Sequence, residues 1–421
     1  MPAPHLDFAY PSELAAEILA RWPKETQAPA PMDATLLEAY LGIHYHASFL
    51  TEERRPVICR TLLAPPEELP ESITPPEGLH ILKFENPRPF NSNEIRRLAI
   101  PVNYYRSLLG IRMTSDGEFV IWGLIQTGTR WVSKTDGGRF DGSKVPPVLI
   151  MQIQGPGRIG VYLGNTRLAE LSNGRVDAES VDPFSCGWLP IRFAQVREWV
   201  RSKHEELREG GPVVESGFVA QLSQNVIRRT ISVVRNRLHG GTLIFLPEDL
   251  ASPQHGLFSF KYRFGAGQKS GYRSVMSAVM TRLSKLGAEA GRESVGWLDY
   301  QQADDQIISD LNEGIFELGD LFADLMGVDG ALVLSDMFDM VGFGAEIHAS
   351  HISVDVVYRA CDLEGEFLEP EKIDGGGTRH RSVYRLIALH PECLAFVISQ
   401  DGGVRFVTGR EGKVVYWNYA P

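Results

Sequence analysis

The chain has 421 residues, 43% of them hydrophobic and 23% charged, with a net charge of -11. That length holds two or three domains of roughly 100–200 residues each, and the composition is that of a globular protein with a sizeable core. The acidic balance excludes broad electrostatic attraction to nucleic acid or anionic lipid and leaves room only for a local basic site.

The start, Met1-Pro2-Ala3-Pro4-His5-Leu6-Asp7, lacks the basic-then-apolar order of a secretory signal. No apolar segment approaches the ~18 residues of a membrane span. Cys59, Cys186, Cys361 and Cys393 form no C-x-x-C pair, so neither a disulfide framework nor a zinc site is expected. These features lead to the expectation of a cytoplasmic protein.

Proline-rich stretches at Pro23–Pro31 and from Pro65-Pro66 to Pro75-Pro76 read as loops around a helix near Leu36–Leu50. From Leu79 to Val176 the chain reads as strand-rich, with short apolar runs such as Phe119–Trp122 and Val148–Met151 between glycine turns. Gly155-Pro156-Gly157-Arg158-Ile159-Gly160 fits G-x-G-x-x-G, but a strand-like run follows it where a dinucleotide site needs a helix, so it reads as a hairpin turn. Trp122 and Trp131 read as core or hairpin residues, and the pairs His44/His46 and His348/His351 lack a third metal ligand. A charged helix follows at Phe193–Glu209. Glu209-Gly210-Gly211-Pro212 breaks it, which places the domain boundary there: a β-rich domain over 1–210, and a second domain over 211–421.

The second half alternates helices and strands. A helix through Val226, Thr230 and Val233 stops at His239-Gly240-Gly241, and Thr242–Leu246 is a buried strand. Pro247–Ser294 is loop-rich, contains one further helix, and reads as an insertion. Over Asp304–Met326, Ile308, Leu311, Ile315, Leu318, Phe322 and Leu325 recur at helical spacing. Asp310, Glu313, Glu317, Asp320 and Asp324 fall on the opposite face and read as a solvated surface. Phe396–Ile398, Val404–Val407 and Val414–Trp417 are antiparallel strands joined by glycine turns. The expected fold class is α/β with an α+β tendency, its C-terminal mixed sheet flanked by helices.

Two segments carry chemistry. Gly375-Gly376-Gly377-Thr378-Arg379-His380-Arg381 opens a helix, with Thr378 as its expected N-cap. Glycines allow close approach of a ligand, and free helical N–H groups with two arginines suit an anion such as phosphate. The other reading is a capped helix with surface arginines. Asp329-Gly330-Ala331 stands at a strand entrance, where Asp329 could hold a divalent metal or orient a hydroxyl nucleophile. A turn aspartate bonded to its own backbone is the alternative.

Together these segments resemble the diadenylate cyclase family, including the DNA-integrity scanning proteins. That family has Asp-Gly-Ala, then Gly-Thr-Arg-His-Arg, then a strand ending in Ser-Glu-Glu-Thr-Gly. The order is kept here as Asp329-Gly330-Ala331, Gly377–Arg381 and Phe396-Val397-Ile398-Ser399-Gln400-Asp401-Gly402-Gly403. Phe343–Ile347 lies where the family has small residues and an apolar adenine contact, here Ile347. The resemblance spans roughly 226–417. It implies a metal-dependent nucleotidyltransferase that joins two ATP molecules into cyclic di-AMP and pyrophosphate.

Asp329, Arg379 and Arg381 would be catalytic. Gly330, Ala331, Ile347, Gly377, Thr378, Arg379, His380, Arg381 and Ser399 would bind nucleotide, and Asp329 and Asp401 would hold Mg²⁺ or Mn²⁺. Each domain would present one ATP, so a homodimer or higher oligomer is implied. The family's paired glutamates are Gln400 and Asp401 here, which opens a second expectation: a non-catalytic sensor of ATP or a cyclic dinucleotide. The N-terminal half resembles the sensor of DACNV type that precedes such domains in one bacterial branch.

Overall fold

The structure, a computed structural model, describes residues 8–23, 32–70, 79–104, 106–127, 137–139, 147–164, 166–172, 174–177, 182–208, 210–237, 239–265, 267–373, 377–400 and 402–419. Trp131, Asp401 and the first two glycines of the Gly375–Gly377 run lie outside these residues. The chain divides into two compact units. Unit 1 holds residues 1–134 and 140–180, and unit 2 holds 135–139 and 181–421.

Unit 1 begins with α1 (Pro11–Arg21) and α2 (Ala34–Ser48), then a short hairpin of β1 (Thr51–Glu52) and β2 (Arg55–Pro56). There follow β3 (Cys59–Leu63), β4 (His80–Pro89), α3 (Ser92–Leu98), β5 (Ser107–Met113), β6 (Phe119–Gln126), β7 (Leu149–Gly155), β8 (Arg158–Leu163), β9 (Thr166–Ser172) and β10 (Arg175–Asp177). Eight strands form one sheet in the order β10-β9-β8-β7-β3-β5-β6-β4, with β3 and β5 parallel. One face carries α1 and α2, whose Leu14, Ile18, Leu37 and Leu41 pack with Ile111, Met151 and Ile159. On the other, Leu62, Leu108, Ile150 and Trp122 cluster, and the Trp122 indole donates to the Ala64 carbonyl at 2.8 Å. His44 is fully buried, bonded to Thr61 Oγ1 at 2.8 Å, and burial pushes its ring down to about 4. It is a packed core histidine. Gly157, at φ +67°, turns the β7–β8 hairpin, as the pattern around Gly155 predicts.

Unit 2 runs α4 (Trp188–Arg192), α5 (Ala194–Leu207), β11 (Val213–Val214), α6 (Phe218–Asn236), β12 (Gly241–Leu246), β13 (Phe258–Arg263), α7 (Tyr272–Glu289), β14 (Ser294–Val295), α8 (Trp297–Gln302) and α9 (Gln306–Leu325). It continues with β15 (Ala331–Ser335), β16 (Met340–Ile347), β17 (Val356–Ala360), β18 (Leu368–Lys372), α10 (Thr378–Leu389), β19 (Leu394–Ile398), β20 (Val404–Arg410) and β21 (Lys413–Tyr419). Nine strands form the order β13-β16-β15-β12-β19-β20-β21-β17-β18. The sheet is mixed: β12 runs parallel to β15 and antiparallel to β19. One face buries Leu243, Phe245, Leu332 and Phe396 against helices that include α6, α7 and α9. The opposite face packs Ile244, Val333 and Val397 against Val383, Leu386 and Ile387 of α10. The architecture is α/β, three layers deep.

Two boundaries differ from the sequence reading. The helix read at Phe193–Glu209 belongs to unit 2, because Val196 and Val200 join that unit's core; the Gly210-Gly211 break only turns the chain within it. Nor is 247–294 a mere insertion. In it β13 pairs with β16 as the sheet's edge, and α7 buries Tyr272, Met276, Val279 and Leu283.

The acid row on α9 is largely solvated, yet two members have partners on α6 or at its C-terminal cap. Asp320 takes a two-pronged bond from Arg229 at 2.7 and 3.1 Å, and Asp324 pairs with Arg237 at 2.5 Å. The helix starts at Asp305, whose carboxylate accepts from the Ile308 N–H at 2.9 Å and pairs with Arg282 at 2.5 Å. Those bonds, Arg282's first, hold its carboxyl down at about 2 from an ordinary 3.8. A depressed carboxyl stabilises the fold fully above its ordinary value and loses that contribution as pH falls through the folded value. Asp305→Ala is therefore expected to cost about 1 kcal/mol near neutral pH. Urea titrations should also show a shallower acid loss than wild type between about pH 4 and pH 2.

Candidate functional site

The feature that organises this site is a pair of strand mouths. β12 and β15 lie parallel with Thr242 beside Ala331, and β16 returns antiparallel with Ala345 beside Ala331. The small residues at this end leave a gap between the sheet and α10. Gly330 has φ +120°, and a Cβ there would come within 2.5 Å of the Gly344 carbonyl carbon. Only glycine lets the two backbones pass so closely.

The gap is a cleft of about 510 Å³, within the usual range for small-molecule sites. Ala331, Ala345, Ile347, Phe260 and Val383 give it apolar surface, while Asp329, Lys261, Glu346, Thr378 and Arg379 give it charge and hydrogen-bonding groups. Asp329 and Gly330 thus face the same space as the start of α10, although about fifty residues separate them in sequence.

Gly377, with φ -56° and ψ 154°, is the N-cap of α10, and Thr378 is the first helical residue. This corrects the expected cap by one position: the extended backbone a cap requires falls on the glycine. The Thr378 hydroxyl is therefore not spent on capping, and the helix still presents free N–H groups and the positive end of its dipole.

Successive helical residues turn by about 100°, so four consecutive side chains cannot face one space. The structure divides them accordingly. Thr378, Arg379, Ser382 and Val383 line the first cleft. His380 and Tyr384 line a second, of about 320 Å³, together with Gly377, Ser399 and Arg405. Arg381 is exposed and lines neither cleft.

In the second cleft the Ser399 hydroxyl donates to the Gly403 carbonyl at 3.0 Å. Arg405 donates to the Tyr384 hydroxyl at 2.6 Å and stands 3.6 Å from Glu371. In the first cleft Arg379 has no carboxylate partner among the described residues, and its Nη1 lies over the turn at Gly240. It is a guanidinium available to a ligand.

Asp329 has an 89% exposed side chain, with Lys261 Nζ 3.7 Å from its Oδ2. Lys261, Phe260 and Ser259 come from β13, which sequence reasoning treated as outlying. Their only advance signal was the alternation Phe258-Ser259-Phe260-Lys261, which marks a strand but not its neighbour.

Among the described residues no three His, Cys, Asp or Glu side chains group to hold a metal. A cation needing an all-protein cage does not fit this cleft. One held by one or two carboxylates and completed by substrate phosphates does, and that is the usual manner of Mg²⁺. Asp329 is the exposed candidate, with Glu346 in the same lining. Asp401, the other expected ligand, lies outside the described residues. Among the described residues no helix is long and apolar enough to cross a membrane.

Residues 25–126, roughly a quarter of the chain, match the family model described as "Probable sensor domain DACNV". The match falls in unit 1 and ends at β6, so β7 to β10 extend the same sheet beyond it. No curated protein matches the chain.

Proposed function

We propose that unit 2 is a diadenylate cyclase domain, condensing two ATP molecules into cyclic di-AMP and pyrophosphate, and that unit 1 is its sensor. One observation carries this reading: Asp329-Gly330-Ala331 and Thr378-Arg379 line a single cleft. The DACNV match supports the pairing, since such domains are typical of diadenylate cyclase N-termini.

In this reading adenine lies against Ala331, Ala345 and Ile347. The phosphates meet Arg379, the Thr378 hydroxyl and the N–H groups opening α10, which stabilise charge as it develops on the α-phosphate. The 3'-hydroxyl of one ATP attacks the α-phosphorus of the other. An O–P bond forms, the bond to pyrophosphate breaks, and the hydroxyl proton leaves by way of the solvent-open Asp329 carboxylate; the reciprocal attack by the second nucleotide then closes the ring and releases a second pyrophosphate. A bound Mg²⁺ or Mn²⁺ would neutralise phosphate charge and acidify that hydroxyl. His380 and Ser399, on the other side of α10, are assigned to the far end of the triphosphate. Arg381, pointing outward, is assigned to a nucleotide presented by a second copy.

Among the described residues each chain carries one such cleft, so ring closure requires two copies face to face. With ATP and Mg²⁺ or Mn²⁺, the full chain should release cyclic di-AMP and pyrophosphate. Specific activity should rise with protein concentration until the pair is saturated. Chromatography of the product checks both outcomes. Gln400, standing where the family has a glutamate, favours one second reading: a domain that holds an adenine nucleotide without turnover. Tight ATP binding with no product at high protein concentration would select it.

A further inference from the structure

Lys261 is the one lysine lining the first cleft among the described residues, and the resemblance that identifies the cleft gives it no role. Its placement is built. Gly344, at φ +62°, has no side chain, and a Cβ there would lie 3.0 Å from Lys261 Cβ and Cδ. The lysine stem occupies that track. At its end Nζ donates to the main-chain carbonyl of Asp329 at 2.9 Å. The Asp329 carboxylate is 3.7 Å away, and the lysine side chain is 53% exposed. An ion pair that open to water adds little to stability. The carbonyl, not the carboxylate, holds the ammonium, so Asp329 keeps its charge for another partner. Two of the three ammonium protons remain for a ligand.

We infer that Lys261 is a phosphate-binding residue whose ammonium takes an oxygen of a polyphosphate chain and, with Arg379, lets the cleft hold that chain without a divalent cation. This rests on reading the cleft as a nucleoside triphosphate site and adds a residue and a property to it. Lysine serves phosphate as a compact point charge. Lys261→Met keeps the stem over Gly344 and removes the ammonium, with its charge and its hydrogen bond to the Asp329 carbonyl.

The test is calorimetric titration of the full chain in EDTA with tripolyphosphate, ATP and adenosine. Lys261→Met should weaken tripolyphosphate and ATP by about tenfold, the size of one charged hydrogen bond, and leave adenosine unchanged. Lys261→Arg should keep phosphate binding within about threefold of wild type, since the charge is retained. Tripolyphosphate binding as tight in Lys261→Met as in wild type would overturn the inference, as would an equal loss for adenosine. Wild type that binds tripolyphosphate in a Lys261-dependent way but not ATP would refute the adenine nucleotide reading and leave Lys261 in place. Wild type that binds neither in EDTA refutes the inference, and repeating the ATP titration with Mg²⁺ then tests the adenine nucleotide reading separately, which no ATP binding there would refute.

Discussion

Asp329→Asn is expected to lower cyclic di-AMP synthesis by about a thousandfold or more, while ATP affinity changes by less than about threefold. Asparagine has the same shape, and the side chain is 89% exposed, so the fold neither gains a cavity nor loses a buried partner. What disappears is the negative charge that would hold a divalent cation and receive the proton of the attacking hydroxyl. Adenine contacts through Ala331, Ala345 and Ile347 are untouched, as are the phosphate donors at Thr378 and Arg379. Product chromatography and ATP titration on one preparation separate the two effects. Synthesis at the wild-type rate would remove Asp329 from the chemistry.

Gly330→Ala should fail differently, by losing stability and binding together. The added Cβ would meet backbone atoms of β16, the Gly344 carbonyl carbon at 2.5 Å and the Ala345 nitrogen at 2.8 Å. It would also demand φ +120° of an alanine. Neither strand can yield without shifting Ala331 or Ala345, which form the floor of the cleft. Strain of this kind costs on the order of 1–3 kcal/mol. In a domain of this size that lowers Tm by roughly 2–4 °C per kcal/mol. ATP affinity should fall at least about thirtyfold, because binding must also restore the displaced floor. Calorimetric melting with ATP titration checks both. Unaltered ATP binding in Gly330→Ala would argue against the floor itself.

What could be read in advance follows contiguity. Asp329-Gly330-Ala331 and the start of α10 each sit in a few consecutive residues, and the Ile308–Phe322 stripe of α9 repeats within one helix, so local periodicity reveals them. Lys261 and Phe260 reach the cleft only because β13 pairs with β16, beyond the bulge that Gly344 and its neighbours impose. Nothing local to Phe258–Arg263 specifies that partner. The Thr378–Arg381 run shows the opposite limit. A motif names residues without their azimuth, and a helical turn sends Arg379 and His380 to different clefts. The start of unit 2 was obscured for a related reason: Gly210-Gly211 looks like a linker, but Val196 and Val200 before it are committed to the core that follows it.

One margin of the nine-stranded sheet, β18, resists extension. β18 reads Leu368-Glu369-Pro370-Glu371-Lys372 and, among the described residues, pairs on one side only, with β17. A proline withdraws a donor from that rim, and three charged residues among five resist a neighbouring strand. Self-association by adding strands there is disfavoured, which guards an otherwise extendable β-sheet against runaway stacking of identical chains.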